Sequence, residues 1–126
     1  MPALPVLSAV SLVSDDVPRL AAFYALLLGQ PGEGDARHRA FGAGPVALSL
    51  ASAGLMEELA PGCLVGAGPG RVVIEFRVGD VDALHARLAA LGVPVVKPPT
   101  THPWGLRSAW VRDPDGNLVN LYAPAG

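Results

Sequence analysis

Apolar and polar residues follow one pattern twice along this chain, and the second copy begins 64 residues after the first. Each copy opens with a short alternating stretch, around Val10 and Leu12 and then from Val72 to Val78. A stripe of large apolar residues at helical spacing follows in each copy. The stripes comprise Leu20, Phe23, Tyr24, Leu27 and Leu28 in the first copy, and Val81, Leu84, Leu88 and Leu91 in the second. Because strand side chains alternate and helical ones recur every three to four residues, each copy predicts a strand followed by a helix.

The two predicted helices have the same boundary residues. Asp16 and Asp80 occupy matching positions and suit helix N-caps, because their carboxylates accept hydrogen bonds from the free backbone N–H groups of the first turn. Gly29 and Gly92 suit the left-handed position that ends a helix. Since an N-cap aspartate, an apolar helical stripe and a terminating glycine recur in the same order, we interpret the chain as two copies of one module.

Short strands are predicted after each helix. In the second copy they fall at 93–96, 106–112 and 118–122, and in the first copy at 37–41 and 46–51. The sequence DPDGN joins the last two strands of the second copy, and its Pro and Gly are typical of a tight hairpin. The corresponding GAGP in the first copy is a weaker hairpin signal.

The predicted fold class is therefore α+β, built from two βαβββ modules. Module one spans about 5–52, module two spans about 71–124, and the segment 53–70 connects them. A chain of 126 residues is the size of a single domain, so we expect one domain made of both modules.

Composition excludes several classes of partner. The chain is 51% hydrophobic and 16% charged, with net charge −2 and no cluster of Lys or Arg, so we expect neither nucleic acid nor a membrane as partner. One cysteine excludes an internal disulfide framework, and the N-terminal stretch lacks the features of a signal peptide. We therefore expect a cytoplasmic protein with a small-molecule ligand.

Strand alternation separates a helix-facing side from an open side. On the strand after residue 70, Arg71, Val73, Glu75 and Arg77 fall on the open side. Trp110 shares that side with Ser108 and Arg112, and Asn120 and Tyr122 oppose core residues of the last strand. The predicted ligand-binding residues are Phe41, Glu75, Arg77, His102, Trp104, Arg107, Trp110, Asn120 and Tyr122.

Each of these residues also has a structural interpretation. Glu75 and Arg77, two apart on one strand face, are more simply explained as an ion pair. Trp104 and Trp110 could be ordinary core aromatics, although Trp104 lies in a proline-rich loop and Trp110 alternates away from the apolar side. In the binding interpretation an arginine, Arg77 or Arg107, holds a ligand carbonyl or carboxylate.

Four stretches resemble the vicinal oxygen chelate superfamily, which includes glyoxalase I, extradiol dioxygenases, fosfomycin-inactivating enzymes and bleomycin resistance proteins. They are VSDDVPRLAAFYALLLG, VGDVDALHARLAALGVPV, WGLRSAWV and RDPDGNLVNLYAP. The resemblance implies that the modules form a cup-shaped mixed sheet with the helices outside, and that the protein is a homodimer.

The enzymes of that superfamily hold a divalent metal with His, Glu or Gln side chains on the cup face. The resemblance aligns those positions with Ala9, Ser49, Val73 and Asn120, none of which is a good ligand. We therefore expect no metal, no cofactor and no catalytic residue.

The resulting expectation is a metal-free binding protein, closest in character to the bleomycin-resistance branch, that sequesters an aromatic or amphipathic natural product or drug. One alternative is a metal-dependent glyoxalase, dioxygenase or thiol transferase with relocated ligands chosen from His38, Glu75 and His102. Another is a cofactorless isomerase with Glu75 as base, if burial makes its carboxylate basic.

Overall fold

The computed structural model describes residues 8–66 and 72–126, and these ranges contain eight strands and three helices. The chain divides into two compact units, Met1–Gly68 and Pro69–Gly126, and each contains a four-stranded mixed sheet with helices packed on it. The predicted α+β class and the βαβββ order of elements are confirmed in both units. Arg71 and most of the GAGPG stretch, about which predictions were made, lie outside the described residues.

The first unit contains β1 (Ala9–Ser14), α1 (Val17–Leu28), β2 (Glu33–Gly34), β3 (His38–Gly42), β4 (Ala47–Ser52) and α2 (Ala53–Leu59). The second unit contains β5 (Val73–Arg77), α3 (Val81–Ala90), β6 (Val95–Thr101), β7 (Leu106–Arg112) and β8 (Leu118–Pro124). The sheet orders are β1-β4-β3-β2 and β5-β8-β7-β6. In each sheet the first two strands are parallel and the other pairs are antiparallel, so the two units have the same topology.

Both helix starts are capped as the sequence predicts. The Asp16 carboxylate accepts from the backbone N–H of Arg19 at 3.1 Å, and the Asp80 carboxylate accepts from that of Ala83 at 3.0 Å. Gly29 adopts the left-handed conformation, with φ 66°, at the end of α1. These interactions satisfy backbone groups that the helices cannot pair internally, and they fix where α1 and α3 begin.

The core of each unit lies between its sheet and its helices. Leu20 and Tyr24 of α1 and Leu88 of α3 are fully buried. Along β8, Val119 and Leu121 are also fully buried. The residues that alternate with them, Leu118, Asn120 and Tyr122, are half-buried on the opposite face of the sheet, so the alternation predicted for this strand is confirmed.

Strand β6 differs from its prediction, because it runs from Val95 to Thr101 rather than from 93 to 96. The N–H of Val93 donates to the carbonyl of Leu88 at the end of α3. Because this N–H is used by the helix end, β6 begins only after residue 93. Pro98 and Pro99 are tolerated within it because β6 is the edge of its sheet and needs no donors on its outer side. Two register shifts between β6 and β7 accompany the prolines.

Helix α2 lies in the segment that was predicted only as a connection. The Ser52 hydroxyl accepts from the N–H of Leu55 at 3.0 Å and starts the helix, which packs on β1 and β4. None of the residues of α2 is fully buried. This short helix also lacks the long apolar stripe from which α1 and α3 are predicted. Among the described residues, no helix is long and apolar enough to cross a membrane.

Candidate functional site

The open face of the second sheet carries one row of side chains that crosses all four strands. Glu75 pairs in register with Asn120, Asn120 with Trp110, and Trp110 with Lys97. The row therefore begins with a carboxylate on β5, passes an amide and an indole, and ends with an ammonium on β6. Residues at matching register project from the same face of a sheet, so these four side chains share one surface.

This row forms the floor of a hollow of about 350 Å3 that lies wholly within the second unit. Its walls combine aromatic, aliphatic and polar side chains. The lining residues are Glu75, Lys97, His102, Trp104, Leu106, Ser108, Trp110, Asn120 and Tyr122. Six of the nine predicted ligand-binding residues are thus brought together: Glu75, His102, Trp104, Trp110, Asn120 and Tyr122.

A polar cluster closes the β6 end of the hollow. The Nζ atom of Lys97 lies 2.8 Å from Nε2 of His102, and Oγ of Ser108 lies 3.0 Å from the same nitrogen. An ammonium group can only donate, so Nε2 is the acceptor in this contact, which requires the imidazole tautomer that carries its proton on Nδ1. The ammonium also lies 5.0 Å from the centre of the Trp110 ring, within the range of a cation–π interaction.

Trp104 is presented at the rim by the turn between β6 and β7. The carbonyl of His102 accepts from the N–H of Gly105 at 3.0 Å, and Gly105 has φ 91°, which closes the turn. The Trp104 indole is 70% exposed and stacks on the His102 ring, with a centroid separation of 4.4 Å and an interplanar angle of 4°. An exposed indole fixed by stacking offers a flat apolar surface to a ligand.

The middle of the row contains polar atoms with unused hydrogen-bonding capacity. The Asn120 amide donates to Glu75 at 3.1 Å, while its Oδ1 atom is buried without a partner among the described residues. The indole Nε1 of Trp110 is likewise buried and unpaired. Buried polar atoms without partners cost about 1–3 kcal/mol each, so this surface is less stable than a fully apolar or fully paired one.

Arg107 does not lie in the hollow, and its predicted place there is corrected. Its guanidinium forms two bonds to the Asp82 carboxylate of α3, at 2.6 and 2.7 Å, on the helix side of β7. Hydrogen bonding from Arg107 lowers the pKa of Asp82 below 3.8, and the same bond raises the pKa of Arg107. The strand alternation that placed Trp110 on the open face already placed Arg107 opposite to it.

Two further predicted residues do not line the hollow. Phe41 belongs to the first unit, where it is only 1% exposed and lines a separate hollow of that unit. Arg77 is exposed on β5, opposite Tyr122 in register, but it is outside the hollow. The ion pair between Glu75 and Arg77 is not formed among the described residues, because Glu75 faces Asn120 instead.

Three residues that line the hollow are not among the predicted ligand-binding residues: Lys97, Leu106 and Ser108. Lys97 was missed because strand β6 was predicted to end at residue 96, although it is the only lysine of the chain. Alternation places Ser108 on the open face of β7, as predicted. Because Trp110, two positions along the same strand, is on that face too, Ser108 could also have been predicted to line the hollow.

The first unit also contains two hollows, of about 380 and 420 Å3. They are lined largely by Ala, Pro and Gly. Asp35 and Arg39 there are used within their own loop: Asp35 accepts from the N–H groups of Arg37 and His38, and Arg39 donates to the carbonyls of Pro31 and Gly34. The hollow of the second unit is the stronger candidate because it combines Trp104, Trp110 and Tyr122 with charged groups of both signs.

Comparison with known proteins agrees with this architecture. Residues 6–121 match the family model described as the Glyoxalase/Bleomycin resistance protein/Dioxygenase superfamily. The chain belongs to this superfamily. It shares 30% identity over 120 residues with the uncharacterized protein YraH of Bacillus subtilis (strain 168), which covers 90% of this chain and 94% of that protein.

Solved structures of other proteins have the same fold. TioX from Micromonospora sp. ML1 is 27% identical and superposes with a TM-score of 0.72, over 95% of this chain and 99% of TioX. A glyoxalase-related enzyme from Fulvimarina pelagi is 23% identical with a TM-score of 0.79, over 95% and 88% of the two chains. The latter likeness establishes the fold alone.

The residues at the positions where superfamily enzymes hold a divalent metal do not fit such an ion. Ala9 and Val73 have no donor atom. The Ser49 hydroxyl is hydrogen-bonded to Nε2 of His38 at 2.9 Å, and Asn120 offers only a neutral amide. Transition metals in proteins are held by imidazole, thiolate or carboxylate groups, which are missing from this set.

The alternatives that use other donors also find little support. Within residues 8–66 and 72–126, no three His, Cys, Asp or Glu side chains lie close enough to hold a metal ion. The Nε2 atom of His102, which a relocated site would use, already faces the Lys97 ammonium. Glu75 is exposed rather than buried, so the premise of the isomerase alternative, a carboxylate made basic by burial, is not met.

Proposed function

We propose that this chain is a metal-free binding protein that captures a small aromatic or amphipathic molecule, such as an antibiotic or another natural product, and sequesters it. One observation carries the proposal: Trp110 lies on the open face of the second sheet, in a hollow of about 350 Å3 that also contains Trp104 and Tyr122. Hollows of this size that combine apolar walls with a few polar groups typically hold small molecules.

The energetics of such a site are sufficient for capture without chemistry. A two-ring aromatic ligand that loses roughly 200 Å2 of apolar surface to the hollow gains about 5 kcal/mol. Each well-placed aromatic contact adds about 0.5–1.5 kcal/mol, and the lost freedom of the ligand opposes both contributions. We expect weak binding of simple two-ring probes and tighter binding of a ligand that also uses the polar groups.

The donor chemistry supports a role without a metal. Two of the four positions that would bind an ion carry only alkyl side chains, Ala9 and Val73. The hollow itself contains one carboxylate, Glu75, and one imidazole, that of His102. Sequestration requires only that the ligand is held, so no reacting group has to be found among the lining residues.

Isothermal titration calorimetry with 2-naphthylmethanol tests the proposal. We expect Trp110→Ala to weaken binding by at least about tenfold, because both stacking and apolar burial are lost. Trp110→Phe should retain most of the affinity, and Leu91→Ala, which alters an exposed residue after α3, should leave it unchanged. Equal binding by the parent protein and Trp110→Ala would overturn the proposal.

Elemental analysis tests the metal-free part. Protein purified without chelators should contain far less than one equivalent of Zn, Ni, Mn or Fe. A stoichiometric metal that disappears in Glu75→Ala would favour the enzymatic alternative and contradict the proposal.

A further inference from the structure

We infer that the ligand of the hollow is an amphoteric aromatic molecule, with an anionic group at the Lys97 end and a protonated nitrogen at the Glu75 end. The inference rests on the proposed function, and it adds the charge pattern of the ligand class. It follows from the order of the row, in which Glu75 and Lys97 occupy the two outer strands and the indole of Trp110 lies between them.

Lys97 provides a persistent positive charge. Its ammonium contacts His102 Nε2 and the face of Trp110, a nitrogen acceptor and a π-system that both interact favourably with a cation. Lys97 forms no ion pair with any carboxylate among residues 8–66 and 72–126. A half-buried ammonium without a counter-ion attracts an anionic group.

Glu75 provides the opposite charge at the other end. Its carboxylate accepts one hydrogen bond, from the Asn120 amide, and forms no ion pair within the described part of the chain. A carboxylate has about four acceptor sites, so most of its capacity remains for a ligand donor. A protonated amine would make a charge-assisted bond there.

The spacing of the two charges selects a ligand of definite length. Three strand spacings separate Glu75 from Lys97, which is roughly 14 Å between their Cα atoms. No ion pair joins the Glu75 and Lys97 side chains, so their charged groups lie apart. The charges lie closer together than the Cα atoms, since the Lys97 ammonium reaches to 5.0 Å from the centre of the Trp110 ring. The remaining gap suits a fused two-ring aromatic with one charged substituent at each end, lying between that ammonium and the Glu75 carboxylate.

Four naphthalene probes of matched shape test the inference by calorimetry. They are 6-(aminomethyl)-2-naphthoate, 2-naphthoate, 2-naphthylmethylamine and 2-naphthylmethanol, which are zwitterionic, anionic, cationic and neutral at pH 7. We expect the zwitterion to bind about tenfold more tightly than the neutral probe, with the anion between them. The advantage should shrink in 0.5 M NaCl, because salt screens charge interactions.

Substitutions separate the two ends of the row. Lys97→Met keeps the aliphatic stem and should abolish the preference for the carboxylate probes, whereas Lys97→Arg should retain it. Glu75→Gln should abolish the preference for the amine. Arg87→Gln on α3 lowers the net charge by one, as Lys97→Met does, and Glu33→Gln on β2 raises it by one, as Glu75→Gln does. Both controls are at exposed sites outside the hollow and should leave all four affinities unchanged.

The outcomes distinguish this inference from the proposed function. If all four probes bind equally and lose affinity in Trp110→Ala, the charge pattern is wrong and the aromatic capture stands. If no probe distinguishes the parent protein from Trp110→Ala, both fail. A zwitterion that binds no more tightly than 2-naphthoate would overturn the amine contact at Glu75.

Discussion

The two units share a framework, but their open faces carry different side chains at the same register positions. In the second unit the row contains Glu75, Asn120 and Trp110. At the matching positions of the first unit, the row contains Ser11, Ser49 and Ala40.

The two units share the residues that build the fold and differ in the residues on the open face of the sheet. Caps, apolar stripes and strand order are kept because each unit needs them to bury its core. The open face makes no contribution to that core, so it can change without loss of the fold. An indole and two charges, those of Glu75 and Lys97, have therefore been accommodated in one copy, whereas the other copy has small residues on three strands and Glu33, paired with Ala40, on the fourth.

Core truncation should have the largest effect, and it should affect the two units alike. Leu20→Ala in the first unit and Leu88→Ala in the second each remove a fully buried side chain. We expect each to lower the free energy of unfolding by about 2–5 kcal/mol, measured by urea denaturation. Leu91→Ala, at an exposed position, should cost less than about 0.5 kcal/mol. A loss below about 1 kcal/mol for Leu88→Ala would show that the two cores are not equivalent.

The matching positions Ser49 and Asn120 should respond with opposite signs. Ser49→Ala removes a hydroxyl that pairs with His38 and should lower the free energy of unfolding by about 1 kcal/mol. Asn120→Leu removes a buried unpaired oxygen and should raise it by about 0.5–1 kcal/mol.

The same Asn120→Leu protein should bind the zwitterionic naphthalene probe less tightly, because Glu75 loses its amide partner. Calorimetry checks the affinity, and urea denaturation checks the stability. A destabilised Asn120→Leu variant would indicate that the polar row supports the fold rather than a ligand.

The smallest expected effect concerns acid sensitivity, which has a different physical origin in each unit. Hydrogen bonding from Arg107 lowers the pKa of Asp82, and backbone N–H groups of Arg37 and His38 lower the pKa of Asp35. A lowered carboxyl pKa stabilises the fold above its unfolded value of 3.8, and this contribution is lost as the pH falls through the folded value.

Melting temperatures from pH 7 to pH 2.5 therefore should fall less steeply in Asp82→Asn and Asp35→Asn than in the parent protein. In 1 M NaCl the difference for Asp82 should shrink, because its partner is a charged guanidinium, whereas that for Asp35 should persist. An unchanged Asp82 difference in high salt would argue against the ion pair as its source.

Local signals predicted the framework well because they act over a few residues. Asp16, Asp80 and Gly29 define helix ends through their own backbone contacts, and the DPDGN hairpin is held by Asp113, whose carboxylate accepts from Asn117. Alternation gave the faces of β5, β7 and β8 because each is half buried. These features need no knowledge of distant residues.

The site was only partly predictable because its β6 end depends on pairing between strands. Lys97 reaches Trp110 through the irregular register of β6 against β7, which sequence alternation does not contain. Arg107 lies outside the hollow because strand alternation places it on the face opposite Trp110, where it bonds Asp82. Phe41 was misplaced because an aromatic residue on a short strand fits a core as well as a ligand wall.

The two prolines of β6 also bear on how the folded protein behaves at high concentration. Edge strands expose unpaired backbone groups on which another chain can add a strand, the first step toward fibrillar aggregates. Consecutive prolines at 98 and 99 leave no N–H donors along that stretch, and the register shifts beside them disturb a flat edge. The same segment that carries Lys97 to the hollow therefore makes this border of the sheet a poor template for polymer growth.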